Sequence, residues 1–147
     1  DGGMNHSWLL GYKLDGGTAN ELSASAMTAQ GAAPDYVLSI PDRIQGVTIC
    51  NGEFYLSQSY GRKNTANIFR HKNVLLDEPN AQTDVLGVQR PIWFLDSNSL
   101  DKSLLCPPMT ECLCTIDDSI FVLFESGAEK YRDAKNPMDR VFKLNEF

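Results

Sequence analysis

Three polar side chains, at matching places in two similar segments, could bind or transform a ligand. Gln45 and Glu111 each follow a proline-bearing stretch, and Glu125 closes the strand-like run that comes after Glu111. Their oxygens could ligate a hard cation or accept hydrogen bonds from a ligand. Glu111 and Glu125 could also share acid–base work on a sugar, since glycosidases use two carboxylates. We take these two as candidate catalytic residues, the simpler alternative being a structural polar cluster filled with water.

A second candidate surface, for ligand binding, lies at the ends of the same two segments. Its members are Gln58, Ser59, Tyr60, Arg62, Ser126, Tyr131 and Arg132. Tyr60 with Arg62, and Tyr131 with Arg132, could form a stacking surface for a sugar or another planar ligand. The serines more commonly hydrogen-bond their own turns. A nucleophilic serine would need a histidine base, and the two histidines, His6 and His71, lie outside the repeated motifs.

The sequence implies no particular cofactor. It contains no glycine-rich phosphate loop, no nicotinamide or flavin fingerprint and no His-rich metal spacing. The metal ligands are therefore unknown, and a divalent cation held by oxygen ligands is the one cofactor that the candidate residues would suit.

Four cysteines allow either two disulfides or free buried thiols. Cys112 and Cys114 lie two residues apart, so on a strand both side chains would point to the same face. They are too close in sequence to form a zinc knuckle. The disulfide state of these two, and of Cys50 and Cys106, cannot be read from their spacing.

Charge and composition exclude two classes of partner. The 147 residues carry a formal net charge of −6 and scattered basic residues, whereas binding to nucleic acid or an anionic membrane needs clustered Lys and Arg. No stretch approaches the roughly 18 apolar residues of a membrane helix. Because the chain opens on Asp1 and not on Met, we expect a processed product or an excised fragment.

Strand-like runs dominate the chain. Most are short, rich in Val, Ile, Phe and Tyr, and bounded by turn residues. Asn51-Gly52 is a strong hairpin signal between two such runs, and Asp117-Asp118 occupies the corresponding place later. Residues 16–33 predict a long loop, and residues 98–103 predict one helical turn.

The chain contains two copies of one unit about 66 residues apart. The run that begins at Ile40 aligns with the run that begins at Cys106 at an offset of 66 residues, and after one inserted residue Phe54 aligns with Phe121. This alignment pairs Gln45 with Glu111 and Gln58 with Glu125. The run 67–70 further aligns with 140–143, and a strand over 91–96 would complete a four-stranded sheet.

The Pro41-x-x-x-Gln45-Gly46 pattern resembles a motif that opens the innermost strand of each blade in secreted bacterial β-propellers. The lactonase and phytase-like propellers are the nearest functional relatives that this resemblance suggests. It covers roughly residues 36–147 and implies that Gln45 and Glu111 converge on the mouth of a central channel. The second copy departs from the motif, because Cys112 stands where the first copy has Gly46.

We therefore predict an all-β protein of antiparallel repeat sheets, a partial β-propeller of about two blades plus part of a third. Residues 1–35 would form a strand and a long loop with the tail of a preceding repeat. The first repeat would span 36–105 and the second 106–147. Since propellers commonly have four or more blades, missing upstream blades or a homo-oligomer would complete the fold.

The leading functional hypothesis is a ligand-binding or scaffolding propeller-type module of a secreted or surface protein, with a small molecule or a sugar as ligand. The alternative is a lactonase-like or esterase-like propeller hydrolase that uses polar or metal-binding residues at the channel mouth. A third hypothesis is a structural subunit of an oligomer without a small ligand.

Overall fold

The structure, a computed structural model, describes residues 3–14 and 27–145. Much of the loop predicted over 16–33, and part of the segment predicted over 1–35, lie outside these residues. The described chain is all-β, with short 3₁₀ turns and no α-helix, as the composition and turn pattern predict. None of its helices is long and apolar enough to cross a membrane.

Thirteen strands are present among the described residues. In chain order they are β1 (Ser7–Gly11), β2 (Met27–Thr28), β3 (Gly31–Ala32), β4 (Tyr36–Ile40), β5 (Ile44–Cys50), β6 (Glu53–Gln58), β7 (Ala66–His71), β8 (Ala81–Val85), β9 (Val88–Phe94), β10 (Leu100–Cys106), β11 (Thr110–Ile116), β12 (Ser119–Phe124) and β13 (Phe142–Lys143).

These strands form three main sheets and one small hairpin, β2–β3. The first sheet has the order β1-β4-β9-β8, the second β10-β7-β6-β5 and the third β11-β12-β13. All neighbouring strands are antiparallel except β4 and β9, which run parallel. Antiparallel repeat sheets are thus present, and the parallel pair is confined to the first sheet.

Two meanders, β5-β6-β7 and β11-β12-β13, follow the same path. Cys50 pairs with Glu53, and Ile116 pairs with Ser119, across two-residue turns of equal length. The turn residues Asn51 and Gly52, like their counterparts in the second copy, have positive φ angles, which suit tight hairpins. The offset therefore stays at 66 residues, and the predicted insertion is wrong.

This register changes which residues are equivalent. Because a one-residue slip moves a side chain to the other face of a sheet, Phe121 corresponds to Tyr55 and not to Phe54. By the same register Glu125 corresponds to Ser59, so the predicted pairing of Gln58 with Glu125 is wrong.

Two predicted elements have different structures from those expected. Residues 91–96 do not complete the sheet of the first copy, because β9 pairs with β4 and β8 in the first sheet. The fourth strand of the second sheet is β10, and most of the predicted helical turn over 98–103 belongs to it. Pairing with β7 supplies backbone hydrogen bonds along the whole strand, which outweigh a weak helix cap.

The core consists of three hydrophobic clusters. One joins the second and third sheets through residues such as Tyr55, Ile68, Leu113 and Val122. Another joins the first and second sheets and includes Trp93, and the smallest belongs to the first sheet. None of the three joins the first sheet to the third, so the second sheet lies between them.

Candidate functional site

The two repeats meet most closely where β5 lies against β11. A β-carbon built on Gly46 would lie 2.3 Å from the carbonyl oxygen of Glu111 and 2.9 Å from the amide nitrogen of Leu113. The buried Ser57 hydroxyl donates a hydrogen bond to the same Glu111 carbonyl over 2.5 Å. Backbone packing from the first copy therefore fixes the position of Glu111.

The pairing of β11 with β12 brings the predicted carboxyl pair together. Glu111 follows the first residue of β11, and Glu125 follows the last residue of β12. Partial burial raises the pKa of Glu111 above its ordinary value, and the charge of Glu125 and a hydrogen bond between the two side chains raise it further. Such a pair can hold one proton between two carboxyl groups.

Cations and an aromatic ring border the pair. Lys130 Nζ lies 3.7 Å from a carboxylate oxygen of Glu125 and 4.4 Å from the centre of the Tyr131 ring. The Arg62 guanidinium lies 4.7 Å from the centre of the same ring and forms an ion pair of 3.0 Å with Asp133. The loop after β6 thereby contacts the loop after β12, and Tyr131 already contacts two protein cations.

Tyr60 has a different cation partner from the one suggested by sequence proximity. The Arg43 guanidinium lies 4.0 Å from the centre of the Tyr60 ring, which is 60% exposed. The predicted combinations of Tyr60 with Arg62 and Tyr131 with Arg132 are therefore replaced by Arg43 with Tyr60 and Arg62 with Tyr131. These contacts join separate loops, which sequence proximity could not reveal.

A small cavity of about 220 Å³ lies beside Tyr60. Gln58, Ser59 and Arg43 line it, and the Gln58 amide donates to the Asp42 carbonyl over 2.9 Å. Gln45 is exposed, and its amide reaches the Ser59 carbonyl at 3.5 Å. Several predicted ligand-binding residues thus share one end of the first repeat.

Both predicted serines are buried, and their hydrogen bonds join segments that are distant in the sequence. Ser126 is fully buried, and its hydroxyl accepts a hydrogen bond from the Met138 amide at 3.0 Å. Ser59 is nearly buried, with its amide donating to the Arg43 carbonyl. Arg132 is exposed at the end of a short turn. The candidate site is therefore built without these three side chains.

Lys130 and Arg43 are the site residues that sequence reasoning missed. Lys130 lies five residues after Glu125 and next to Tyr131. A positive charge this close in sequence to two candidate residues could have identified Lys130 as a site residue. Arg43 lies within the proline-bearing motif, where its positive φ of 65° marks a turn. No pattern in the sequence connects this turn with Tyr60.

The one buried histidine, His71, lies away from the carboxyl pair. It is 2% exposed, and its Nδ1 lies 3.0 Å from the Ser99 hydroxyl. Burial lowers the pKa of His71 to about 4, opposed in part by the charge of Asp96. His6 is exposed. Neither His71 nor His6 forms a triad with Ser59 or Ser126.

All four cysteines are free thiols. Cys50 and Cys106 are buried, and burial raises the pKa of Cys106 to about 11. Cys112 and Cys114 are exposed on one face of β11, as their spacing predicts. Among the described residues, no group of three or more His, Cys, Asp or Glu is placed to hold a metal ion.

A cleft of about 650 Å³ lies between the second and third sheets at the opposite, hairpin end of the strands. Arg70 and Lys143 line it from equivalent positions in the two repeats. Arg70 forms ion pairs with Glu53, at 3.5 Å, and with Asp101. Since its guanidinium charge is balanced within the protein, we place the candidate site at the carboxyl pair.

Comparison of the chain with known protein families, with curated proteins and with solved structures gave no match.

Proposed function

We propose that this chain is a ligand-binding module of a secreted or surface protein, with propeller-type sheets and a small hydroxylated ligand such as a sugar. The observation that carries the proposal is the placement of Glu111 and Glu125 at adjoining ends of the paired strands β11 and β12, with Lys130 beside Glu125. The resemblance of the proline-glutamine-glycine motif supports the propeller assignment, and the shared path of the two meanders agrees with it.

Two adjacent carboxyl groups suit a ligand rich in hydroxyl groups. Their ionised oxygens accept several hydrogen bonds from such groups. Lys130 at 3.7 Å balances the charge of Glu125. The exposed ring of Tyr60, one face of which is paired with Arg43, offers a planar surface at the neighbouring loop. Together these groups provide both the polar and the flat contacts that sugar rings use.

Titration with a panel of neutral mono- and disaccharides, followed by ¹H–¹⁵N NMR, tests this proposal. At least one sugar should shift the amide signals of Glu111, Glu125 and Lys130. Glu111→Gln should weaken that binding about tenfold, since a lost hydrogen bond to a charged group costs about 1.5 kcal/mol or more. Glu129→Gln changes an exposed carboxylate of the adjacent turn and should bind normally.

Two results would contradict the proposal. A full panel that leaves the Glu111 and Glu125 signals unchanged would exclude neutral sugars as ligands. Equal losses of affinity in Glu111→Gln and Glu129→Gln would show that the overall acidity of the surface, and not the carboxyl pair, governs binding.

A hydrolase is the second candidate, and the raised pKa of Glu111 beside Glu125 favours it. One protonated and one ionised carboxyl can activate a water molecule, as paired carboxyls do in aspartic proteases. The bond to be cleaved would be an ester or a lactone, in line with the lactonase-like propellers that the sequence motif resembles.

Hydrolysis of a panel of lactones and aryl esters tests this second candidate. An activity that falls at least 100-fold in both Glu111→Gln and Glu125→Gln, but persists in Glu129→Gln, would support it. An activity that both glutamine variants retain would exclude the carboxyl pair as its site.

A further inference from the structure

Two of the four cysteines, Cys112 and Cys114, are exposed together on one side of β11. Leu113 between them is buried in the cluster that joins the second and third sheets, so both thiols lie on the face that points away from the second sheet. Cysteine is among the most frequently buried residue types, and packing does not explain two exposed thiols on one strand. The reactivity of the sulfur atoms is therefore the property that distinguishes this pair.

The first repeat has no sulfur atoms at the equivalent positions. The constant offset of 66 residues places Gly46 and Thr48 there, and both contact β11 of the third sheet. In the second repeat, Cys112 and Cys114 are exposed instead, and the Cys112 thiol donates to the carbonyl of the adjacent Leu113 over 3.6 Å. The two thiols thus lie at positions that serve contacts between the repeats in the first copy.

The geometry of the strand excludes a disulfide between these two cysteines. Residues i and i+2 of a strand point in the same direction about 6.6 Å apart, whereas a disulfide needs β-carbons about 3.5–4.5 Å apart. Although the register of β11 shifts between Thr110 and Leu113, the two thiols are exposed on either side of the buried Leu113, the alternation of an extended strand. Cys112 and Cys114 therefore remain a dithiol while β11 is paired with β12.

A single metal ion fits the spacing that a disulfide does not. Two metal–thiolate bonds of about 2.3 Å in line require sulfur atoms about 4.6 Å apart, and rotation about χ1 brings sulfurs of neighbouring same-face residues to about that separation. Zinc would need four ligands, and the described part of the chain contains no group of three or more His, Cys, Asp or Glu placed to hold a metal. Two thiolates instead suit a soft ion of low coordination number, such as Cu(I).

A positively charged side chain lies in the same row of the third sheet. Cys114 lies opposite Phe121 on β12, and Phe121 lies opposite Lys143 on β13. Lys143 is exposed and forms no ion pair with any residue that the structure describes. Two thiolates and one Cu(I) carry a net charge of −1, which the ammonium group of Lys143 offsets in part.

We propose that Cys112 and Cys114 form a binding site for a soft metal ion of the Cu(I) class, with the two thiolates as its ligands. Each thiol loses its proton on binding, so one bound ion releases two protons, and no electron is transferred. Because both thiols are exposed, the ion can enter and leave from solution without opening the fold.

Competition with a coloured Cu(I) chelator, under anaerobic conditions with ascorbate as reductant, tests the site on the full chain. The wild type should bind one Cu(I) per chain. Cys112→Ser, and separately Cys114→Ser, should weaken binding at least 100-fold, because each leaves only one thiolate. Ile116→Ser is the matched control, since it changes another exposed side chain of the same face and should keep the wild-type affinity. Circular dichroism confirms that each variant is folded.

X-ray absorption at the copper edge gives a second, independent readout. Each copper ion should have two sulfur neighbours, and three or more would overturn the proposal because they would require thiols beyond this pair. A wild type that binds no more Cu(I) than the double variant Cys112→Ser/Cys114→Ser would also overturn it. So would wild-type affinity in either folded single variant.

Discussion

Gly46 and Glu111 are in backbone contact across the boundary between the two repeats. The space where Gly46 lacks a side chain is filled by the Glu111 carbonyl, which a β-carbon would approach to 2.3 Å. The Ser57 hydroxyl binds that carbonyl from the same side of the sheet. This contact explains why the first copy needs glycine at this position. The equivalent Cys112 is exposed in the part of the chain that the structure describes, so a side chain is tolerated there.

Gly46→Ala should destabilise the protein by about 1–3 kcal/mol, the usual cost of an added methyl group in a tightly packed interior. The two nearest atoms that it meets are backbone atoms, which cannot turn away as a flexible side chain would. Urea unfolding measures the loss. Cys112→Ala alters the equivalent position of the second copy and should change stability by less than about 0.5 kcal/mol.

Equal effects of the two substitutions would contradict the equivalence of these positions and the contact between Gly46 and Glu111. Gly46→Ala should also move the NMR signals of Glu111 and Glu125, because the backbone that carries Glu111 must shift.

His71 should make the protein sensitive to acid. Its pKa is about 4 in the folded protein and 6.5 in the unfolded chain, so above pH 6.5 both states are neutral and the histidine has no effect. As the pH falls from 6.5 towards 4, the unfolded chain takes up a proton first. Stability should therefore fall across this window, by about 3 kcal/mol in total. Unfolding in urea at successive pH values measures this slope.

His71→Asn is the variant that separates titration from packing. An amide can keep the hydrogen bond with the Ser99 hydroxyl, which now lies 3.0 Å from Nδ1, but it does not titrate. Its stability should be lower at pH 7, since the ring also packs against Phe69, and flatter between pH 6.5 and 4. An unchanged slope would assign the acid sensitivity to other groups.

The strand content and the repeat could be predicted because both depend on local signals. Asn51-Gly52 fixes a two-residue turn, and the side-chain alternation of the flanking strands follows from it. The alignment error arose from matching Phe54 with Phe121 by residue type. Strand pairing, which the sequence does not display, places Phe121 opposite Cys114 and makes it the counterpart of Tyr55.

The assignment of strands to sheets could not be predicted from the same signals. Strand β10 (Leu100–Cys106) is an edge strand whose first four residues are all exposed, so it lacks an alternating pattern. The hairpin β8–β9 lies between β7 and β10 in the sequence, but it belongs to the first sheet and not to the second. The carboxyl pair was foreseeable because both residues lie at the ends of adjacent strands, whereas the ion pair of Arg62 with Asp133 joins residues 71 positions apart.

Glu111→Gln should stabilise the protein at neutral pH. The pKa of Glu111 is raised in the folded state, so ionisation costs more there than in the unfolded chain, and stability falls as the pH rises through the folded pKa. An uncharged amide removes this cost and the repulsion by Glu125. The gain, about 0.2–1 kcal/mol on the scale of adjacent like charges, should vanish at low pH, where both carboxyls are protonated.

Thermal unfolding of Glu111→Gln at pH 7 and at pH 3 checks the sign of this effect. Glu129→Gln again serves as the control for the loss of one negative charge. A variant that is less stable than the wild type at pH 7, but not at pH 3, would mean that the ionised pair is favourable and is held by Lys130.

Arg62→Ala should release the loop of the second repeat without unfolding the sheets. Arg62 is the cation that contacts both the Tyr131 ring and Asp133, and its own carbonyl accepts a hydrogen bond from the Lys135 amide at 3.1 Å. Because the ion pair is exposed, its loss should change global stability by about 1 kcal/mol or less. Hydrogen exchange should nevertheless become faster in residues 129–135. Lys63→Ala removes the neighbouring positive charge and should leave exchange there unchanged; equal acceleration in both variants would show that charge alone, and not the contact with Tyr131, orders the loop.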